Sequence, residues 1–382
     1  MDARERFQKT MKFKECDRPI ICEFMGFWQE TINRWYSEGL PYYVSNPTLS
    51  TRITLVGGGT TTKDIFEYLG LDGINTFIND IGIDYGPIPR RVRKVITEDE
   101  RYRIEIDELG ITLKAFKEGV SMPGWIDFPV KNEDDFEKMK NRFDPKDPRR
   151  LPKYWSEEAI EELNSRDVPV SILMPGLFWQ ARLFLGLERL VTKMYLEPRF
   201  IGEILDFWVD FLINVTKPIV REIKIDYIHL AEDISGKNGP LISPNLFRKF
   251  LLPRYKKLTD FLKSNNVEVI AVDSDGDLRK LIPLYLEAGF NCILPLEAAA
   301  YMDVCEIREK YGKNLLMIGN IDKTALIKGP KFIKEEVKRK ATVALEGGYI
   351  MSVDHQVPYD VPFQNYIYYL RTLREQLKIS AA

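Results

Sequence analysis

Eight short apolar runs, most of them followed by a segment of helical periodicity, restrict this chain more than any other feature. The runs cover residues 19–23, 74–78, 168–173, 227–231, 267–272, 292–294, 315–318 and 349–352. Amphipathic stretches such as 244–263, 278–288, 331–345 and 362–377 lie between and behind them. Strand–helix alternation implies a parallel sheet, because parallel neighbours need a crossover connection. Eight such units in one chain favour a closed (β/α)8 barrel of the TIM type over an open doubly wound sheet. A doubly wound fold would carry a Gly-rich phosphate turn after its first strand. The Gly57-Gly58-Gly59 cluster follows no such strand.

One segment breaks the alternation. Residues 91–96, 101–106 and 111–116 read as a small antiparallel β meander with acidic turns between its strands. It is expected as an insertion over about 90–117, after the second strand. The Pro- and charge-rich stretch 143–152 reads as a loop. With no internal repeat and no low-complexity tract, one domain is expected over residues 1–382.

Charge and composition exclude several classes. The 382 residues include 55 Lys and Arg against 57 Asp and Glu, which leaves no basic footprint for nucleic acid and no polybasic membrane anchor. No run approaches the ~18 apolar residues of a membrane span. The start of the chain, Met1 to Arg6, is charged and lacks the apolar core of a signal peptide. Cys16, Cys22, Cys292 and Cys305 are scattered without Cys-x-x-Cys spacing, which argues against a structural zinc site or a disulfide framework. A cytoplasmic protein is the expectation.

Barrel chemistry sits at the carboxyl ends of the strands. Those ends read Glu23, then Asn79-Asp80, Met174-Pro175-Gly176, Glu232-Asp233, Asp273-Ser274-Asp275, Glu297, Gly319-Asn320 and Asp354-His355. Desolvated carboxylates in close pairs repel and usually persist where a metal, a proton or a substrate uses them. Asp277 and Asp322 read instead as helix caps. Phe178 and Trp179 stand beside the rim, where an apolar or flat ligand and ordinary helix packing are equally good readings. Of the two histidines, His229 lies inside a strand pattern and reads as a satisfied core residue, whereas His355 shares the rim with the acids.

Residues 232–244, Glu-Asp-Ile-Ser-Gly-Lys-Asn-Gly-Pro-Leu-Ile-Ser-Pro, resemble the fourth-strand signature of the uroporphyrinogen decarboxylase superfamily. Asp275-Gly276-Asp277, Ala288-Gly289-Phe290, Gly319-Asn320-Ile321-Asp322 and Gly347-Gly348-Tyr349-Ile350 continue the likeness, which covers nearly the whole chain and is strongest from residue 226. It implies a (β/α)8 barrel.

Two branches of that superfamily give two readings. The decarboxylases remove acetate carboxyls from a tetrapyrrole without metal or organic cofactor. Their aspartate after the second strand matches Asp80, and their histidine near the last strand matches His355. They also carry two arginines after the first strand, where this chain has Glu23 and Phe27. Arginine suits bidentate carboxylate binding, so their replacement argues against an octacarboxylate substrate.

The other branch moves a methyl group between a small molecule and a corrinoid protein, and holds zinc on His-x-Cys and a later Cys. The matching positions here are Asp273, Asp275 and His355, with the spacing kept and the soft ligands gone. Such a set would suit Zn²⁺ or a harder divalent metal and an oxygen-bearing substrate. The expected reading is therefore a methyltransferase-like enzyme with a corrinoid-protein partner, acting on a small methylated molecule. The alternative is a metal-free decarboxylase of a porphyrinogen-like or other carboxylated substrate. Asp80, Glu232, Asp233, Asp275 and His355 are the expected catalytic groups. Glu23, Phe27, Phe178, Trp179 and Asn320 are expected against substrate. The resemblance also admits a homodimer.

Overall fold

In the computed structural model, residues 1–44, 64–72, 81–117, 123–151 and 155–379 are described. Four strands, β1 (Lys94–Glu98), β2 (Tyr102–Ile106), β3 (Thr112–Phe116) and β4 (Gly124–Asp127), form an antiparallel sheet in chain order. Next come β5 (Ser171–Pro175) and β6 (Tyr227–Ala231), then a two-residue ribbon pair, β7 (Ser235–Gly236) and β8 (Gly239–Pro240). β9 (Val269–Asp273), β10 (Cys292–Leu294), β11 (Leu316–Ile321) and β12 (Tyr349–Val353) complete the set. β5, β6, β9, β10, β11 and β12 pair in that order, all parallel, into one six-stranded sheet.

Both faces of this sheet are covered, which is why its strands read as unbroken apolar runs. On one face Tyr227, Val269, Ala271, Cys292, Leu294, Leu316, Ile318 and Ile350 pack with Phe7 and Met11 of the helix Ala3–Met11. On the other, Ile228, Ile270, Val272, Ile293, Met317 and Tyr349 join the larger core beneath the helices. The helices follow the apolar periodicity closely: Pro330–Leu345 and Phe363–Gln376 fall where the pattern puts them. The stretch 244–263 is helical throughout but changes pitch, with a π turn at Phe247–Leu251. Among the described residues, no helix is long and apolar enough to cross a membrane.

Three expectations change. Residues 19–23 are not a ladder strand. Their backbone is held by Asp72, whose N–H donates to the Ile21 carbonyl at 2.7 Å and whose carboxylate accepts from Ile21 N–H at 2.8 Å. The antiparallel unit has a fourth strand, β4, outside the expected meander. His229 is fully buried against the Tyr227 ring, but neither ring nitrogen has a hydrogen-bond partner among the described residues. Burial alone pushes its pKa down to about 3. The expected strand at 74–78 and the Gly57-Gly58-Gly59 cluster lie outside the described residues.

Candidate active site

The ends of β6 and β9 are locked to each other. Glu232 N–H donates to the Asp273 carbonyl at 2.8 Å, and Ser274 N–H ties the end of β9 onward to β10 at the Leu294 carbonyl, 3.1 Å away. Beyond them, Ile234 N–H donates to Ser274 Oγ at 3.1 Å, and Asp277 N–H to the Gly236 carbonyl at 3.0 Å. Gly276 makes this crossing possible. It has φ +85°, and a β-carbon there would lie 2.6 Å from the backbone of Ser235.

Around this crossing gather Asp233, Asp273, Asp275, Glu297 and Asp354, with Lys323 and His355. Asp275 N–H points at Asp233 Oδ1 at 3.4 Å, and Gly276 N–H donates to Glu297 Oε2 at 3.1 Å. Lys323 Nζ stands 3.6 Å from Asp354 and 3.9 Å from Glu297. Asp354 is buried and also accepts from Ala298 N–H at 2.8 Å and Lys323 N–H at 3.2 Å. His355 Nε2 lies 3.9 Å from Asp275 Oδ2. The Trp28 indole lies nearly parallel to the imidazole, 16° apart with ring centres at 6.4 Å.

Burial dominates the electrostatics. It pushes the Asp275 carboxyl up to about 7, helped by the charges of Asp233 and Glu297 and opposed by Lys323. Asp273 rises well above the usual carboxylate range for the same reason. Asp233 and Asp354 are raised too, chiefly by burial. Burial and then Lys323 press His355 down to about 4. Asp275 still exposes 43% of its side chain and His355 30%, so solvent reaches both. Near neutrality the pair is a carboxyl close to half protonation beside a neutral imidazole, a combination that can hold or move a proton.

Other expected site residues serve the scaffold. Glu232 is buried and caps the helix Leu177–Leu185, accepting from Phe178 N–H at 3.2 Å and Trp179 N–H at 2.9 Å. Burial outweighs these bonds and lifts its carboxyl to about 8. Phe178 and Trp179 therefore act through their amides. The Phe178 ring is in the core, and the Trp179 ring packs on Trp125 and the Arg182 guanidinium. Of the two readings left open for them, packing is the one seen.

Glu23 is buried too. It accepts from Ser352 Oγ, from Val353 N–H at 2.8 Å and from Tyr366 Oη at 2.8 Å, tying the first segment to β12 and the last helix. Phe27 is enclosed by Trp35, Phe66 and Tyr366 and does not face a ligand. Asn320 is likewise withdrawn. Its Oδ1 accepts from Val304 N–H at 2.9 Å, and its Nδ2 donates to the Leu296 and Met302 carbonyls at 2.6 and 2.8 Å. Every polar atom of that amide is committed to the loop carrying Glu297. Asp80 lies outside the described residues.

Asp273, Asp275 and His355 do not close into a metal cage. Among the described residues, no group of three or more His, Cys, Asp or Glu side chains is placed to hold a metal ion. The described donors thus do not fit the expected set. Glu297, Lys323 and Trp28 are the site members that sequence reasoning did not select. Glu297 follows β10 and was visible as a strand end, whereas Lys323 looks like the first residue of a capped helix.

The uroporphyrinogen decarboxylase (URO-D) family model matches residues 102–376. Curated uroporphyrinogen decarboxylases are similar over parts of the chain. That of Trichodesmium erythraeum is 24% identical over 137 residues, 35% of this chain and 37% of the relative. That of a Synechococcus strain is 22% identical over 190 residues, 49% of each chain. The matched segments thus span half or less of these relatives' length. A solved methyltransferase from Methanosarcina mazei shares the fold, with a TM-score of 0.58 over 98% of this chain and 99% of that one, at 17% identity.

Proposed function

This chain belongs to the uroporphyrinogen decarboxylase family, and on that premise we propose that it is a methyltransferase-like enzyme, moving a methyl group from a small methylated compound to a corrinoid protein. The same reading takes the six parallel strands as part of a closed (β/α)8 barrel forming one domain, with the antiparallel sheet as its insertion. Asp275 and His355 are its working pair. Asp275 holds a proton near neutrality and delivers it to the heteroatom that loses the methyl group. Neutral His355, 3.9 Å away, takes up or returns a proton as the carboxyl cycles. Contacts of this length often tighten only when substrate is bound. Glu297 and Asp354 hold Lys323 beside the pair, and Trp28 supplies an apolar wall. The corrinoid, carried by the partner protein, supplies the nucleophile that accepts the methyl group.

The observation that supports this best is the sign of the site. Removing carboxyls from a polyanionic substrate calls for a cationic cradle. Here the floor is acidic, and the nearby Arg182 is taken up by Trp125, Trp179 and the Asp233 carbonyl. The relatives' own name favours a second reading, decarboxylation of a less anionic substrate by Asp80 and His355. A single assay separates them. The purified protein is mixed with reduced corrinoid and a panel of methylated ethers, amines and thiols, while the corrinoid spectrum and CO₂ release from carboxylated porphyrinogens are followed. Methyl-corrinoid formation that His355→Ala abolishes is the expected result. CO₂ release without any methyl-corrinoid would replace this reading with the second.

A further inference from the structure

Charges at the strand ends do not balance. Of the five carboxylates, Glu297 and Asp354 share Lys323. Asp233 has the buried Arg182, which reaches its backbone carbonyl at 3.2 Å. Asp273 and Asp275 are left with no cation of their own, since the neighbouring imidazole is neutral near pH 7.

Asp273 is the telling member. It is only 8% exposed, and what acts on its carboxyl is burial and the neighbouring acids Asp233 and Asp275, with no cation or hydrogen-bond donor among them. It continues the row Val269, Ala271, whose side chains line the inward face of the sheet, so it points into the ring of strand ends. An unpaired buried carboxylate costs several kcal/mol, so burial keeps the Asp273 carboxyl protonated in the empty site, and a cation entering beside it is what would let it ionise. An inorganic cation would need three donors converging, which the described residues do not provide. The Trp28 indole lies nearly parallel to the His355 imidazole, which itself stands 3.9 Å from Asp275. A carboxylate floor with an aromatic wall is the pairing that holds organic ammonium groups, whose charge is spread over methyl surfaces.

We propose that the small molecule bound at this site is an organic cation, a methylated amine whose nitrogen sits among Asp233, Asp273 and Asp275 with its methyl groups against Trp28. The charge rests on the carboxylates alone, whereas the methylated part rests on the function proposed above. The chemistry then balances. An amine arriving neutral takes the proton of Asp275 and becomes an ammonium paired with the carboxylate it has just ionised. The C–N bond breaks with its electron pair staying on nitrogen, and the methyl carbon bonds to the corrinoid nucleophile. The demethylated amine leaves neutral, carrying that proton, and Asp275 is reprotonated from solvent.

The test is isothermal titration of the full-length protein at pH 7.5 with choline and with 3,3-dimethylbutan-1-ol, its uncharged isostere. The trimethylammonium probe should bind about ten-fold tighter or better. Asp275→Asn and Asp273→Asn should each bring the two affinities within about two-fold, and Asp277→Asn should leave the ratio unchanged, because Asp277 caps no helix (the next begins at Ile282) but holds a turn through the Arg279 N–H and guanidinium. Thermal melts establish that each variant folds; if Asp273→Asn does not, the half-exposed Asp275 still decides the matter. Equal affinities, binding of neither probe, or a ratio indifferent to Asp275→Asn overturns the inference. Its failure is distinguishable from failure of the proposed function. Methyl transfer from neutral ethers without ammonium preference sinks only the cation, whereas tight ammonium binding with no methyl transfer from any donor sinks only the reaction.

Discussion

Glu232 lies against the backbone of Gly176, so close that a β-carbon on that glycine would stand 2.3 Å from the carboxyl carbon. The end of β5 and the end of β6 meet through this contact, and the carboxylate reaches over Gly176 to cap the helix Leu177–Leu185. Neither side can give way easily, because Glu232 is buried and its two oxygens are held by Phe178 and Trp179 amides.

Gly176→Ala should therefore unseat Glu232. The cost expected from forced overpacking is about 1–3 kcal/mol, with the lost cap adding about 1 more. Urea denaturation measures it. Gly236→Ala, where an added β-carbon meets nothing within 4 Å, serves as the control. Equal stability of the two variants would show that the β5–β6 junction is slack.

Two buried acids make stability depend on pH in an unusual direction. Burial raises Glu23 to about 7 and Glu232 to about 8, from 4.5. A carboxyl whose folded pKa is raised contributes stability that is complete below its unfolded value and is lost as pH climbs through the folded one. The melting temperature should accordingly fall between about pH 4.5 and pH 8, by an amount corresponding to several kcal/mol, and level off above that range. Glu232→Gln should flatten the upper part of that decline and Glu23→Gln the lower. A melting temperature that rises over this range would contradict the burial of both groups.

What the chain discloses about itself follows from the range of the interaction involved. β6 at Tyr227–Ala231 and β10 at Cys292–Leu294 coincide with their apolar runs, because burial on both faces leaves a local record in every residue. The carboxylates at the ends of β6, β9 and β12 were legible for a similar reason, being acidic residues where apolar runs stop. Side-chain direction leaves no such record. Glu23 and Phe27 sit where a ligand residue was expected, yet their partners, Tyr366 and Trp35, are set by packing of distant segments. Asn320 follows a strand like a site residue but has φ +66° and turns its amide into the adjoining loop. Lys323 was hidden behind the cap at Asp322, although its side chain is the cation nearest Asp354.

The loop holding Glu297 depends on a second buried charge. Lys340, 1% exposed in the helix Pro330–Leu345, donates to the Asn320 carbonyl and to Glu336, which in turn accepts from Asp322 N–H at 3.0 Å. Lys340→Met strands the Asn320 carbonyl and leaves Glu336 with only Asp322 N–H and the half-exposed Arg339 at 3.3 Å, and removing one partner of a buried pair costs up to about 3–5 kcal/mol. Glu336→Gln in the same chain removes the carboxylate that has lost its buried cation and should recover part of that loss. Chemical denaturation of the two single variants and the double one gives the coupling. Strictly additive effects would mean that Lys340 and Glu336 do not act as a pair.

Lys323 should set the pH range of catalysis. In the proposed reaction Asp275 acts protonated and His355 neutral, so activity should fall as pH rises through about 7 and as pH drops through about 4. Lys323 favours the ionised form of Asp275 and disfavours the charged form of His355, so it lowers both pKa values. Removing its charge must then move both limbs the same way. The pH profile of methyl transfer by Lys323→Met should shift upward at its acidic and alkaline ends together, by about half a unit to one unit for a partly solvated contact. Lys323→Arg should return both limbs toward their original positions. A helix-capping role alone would change the rate without moving either limb, and a shift of the two limbs in opposite directions would rule out Asp275 and His355 as the pair that titrates.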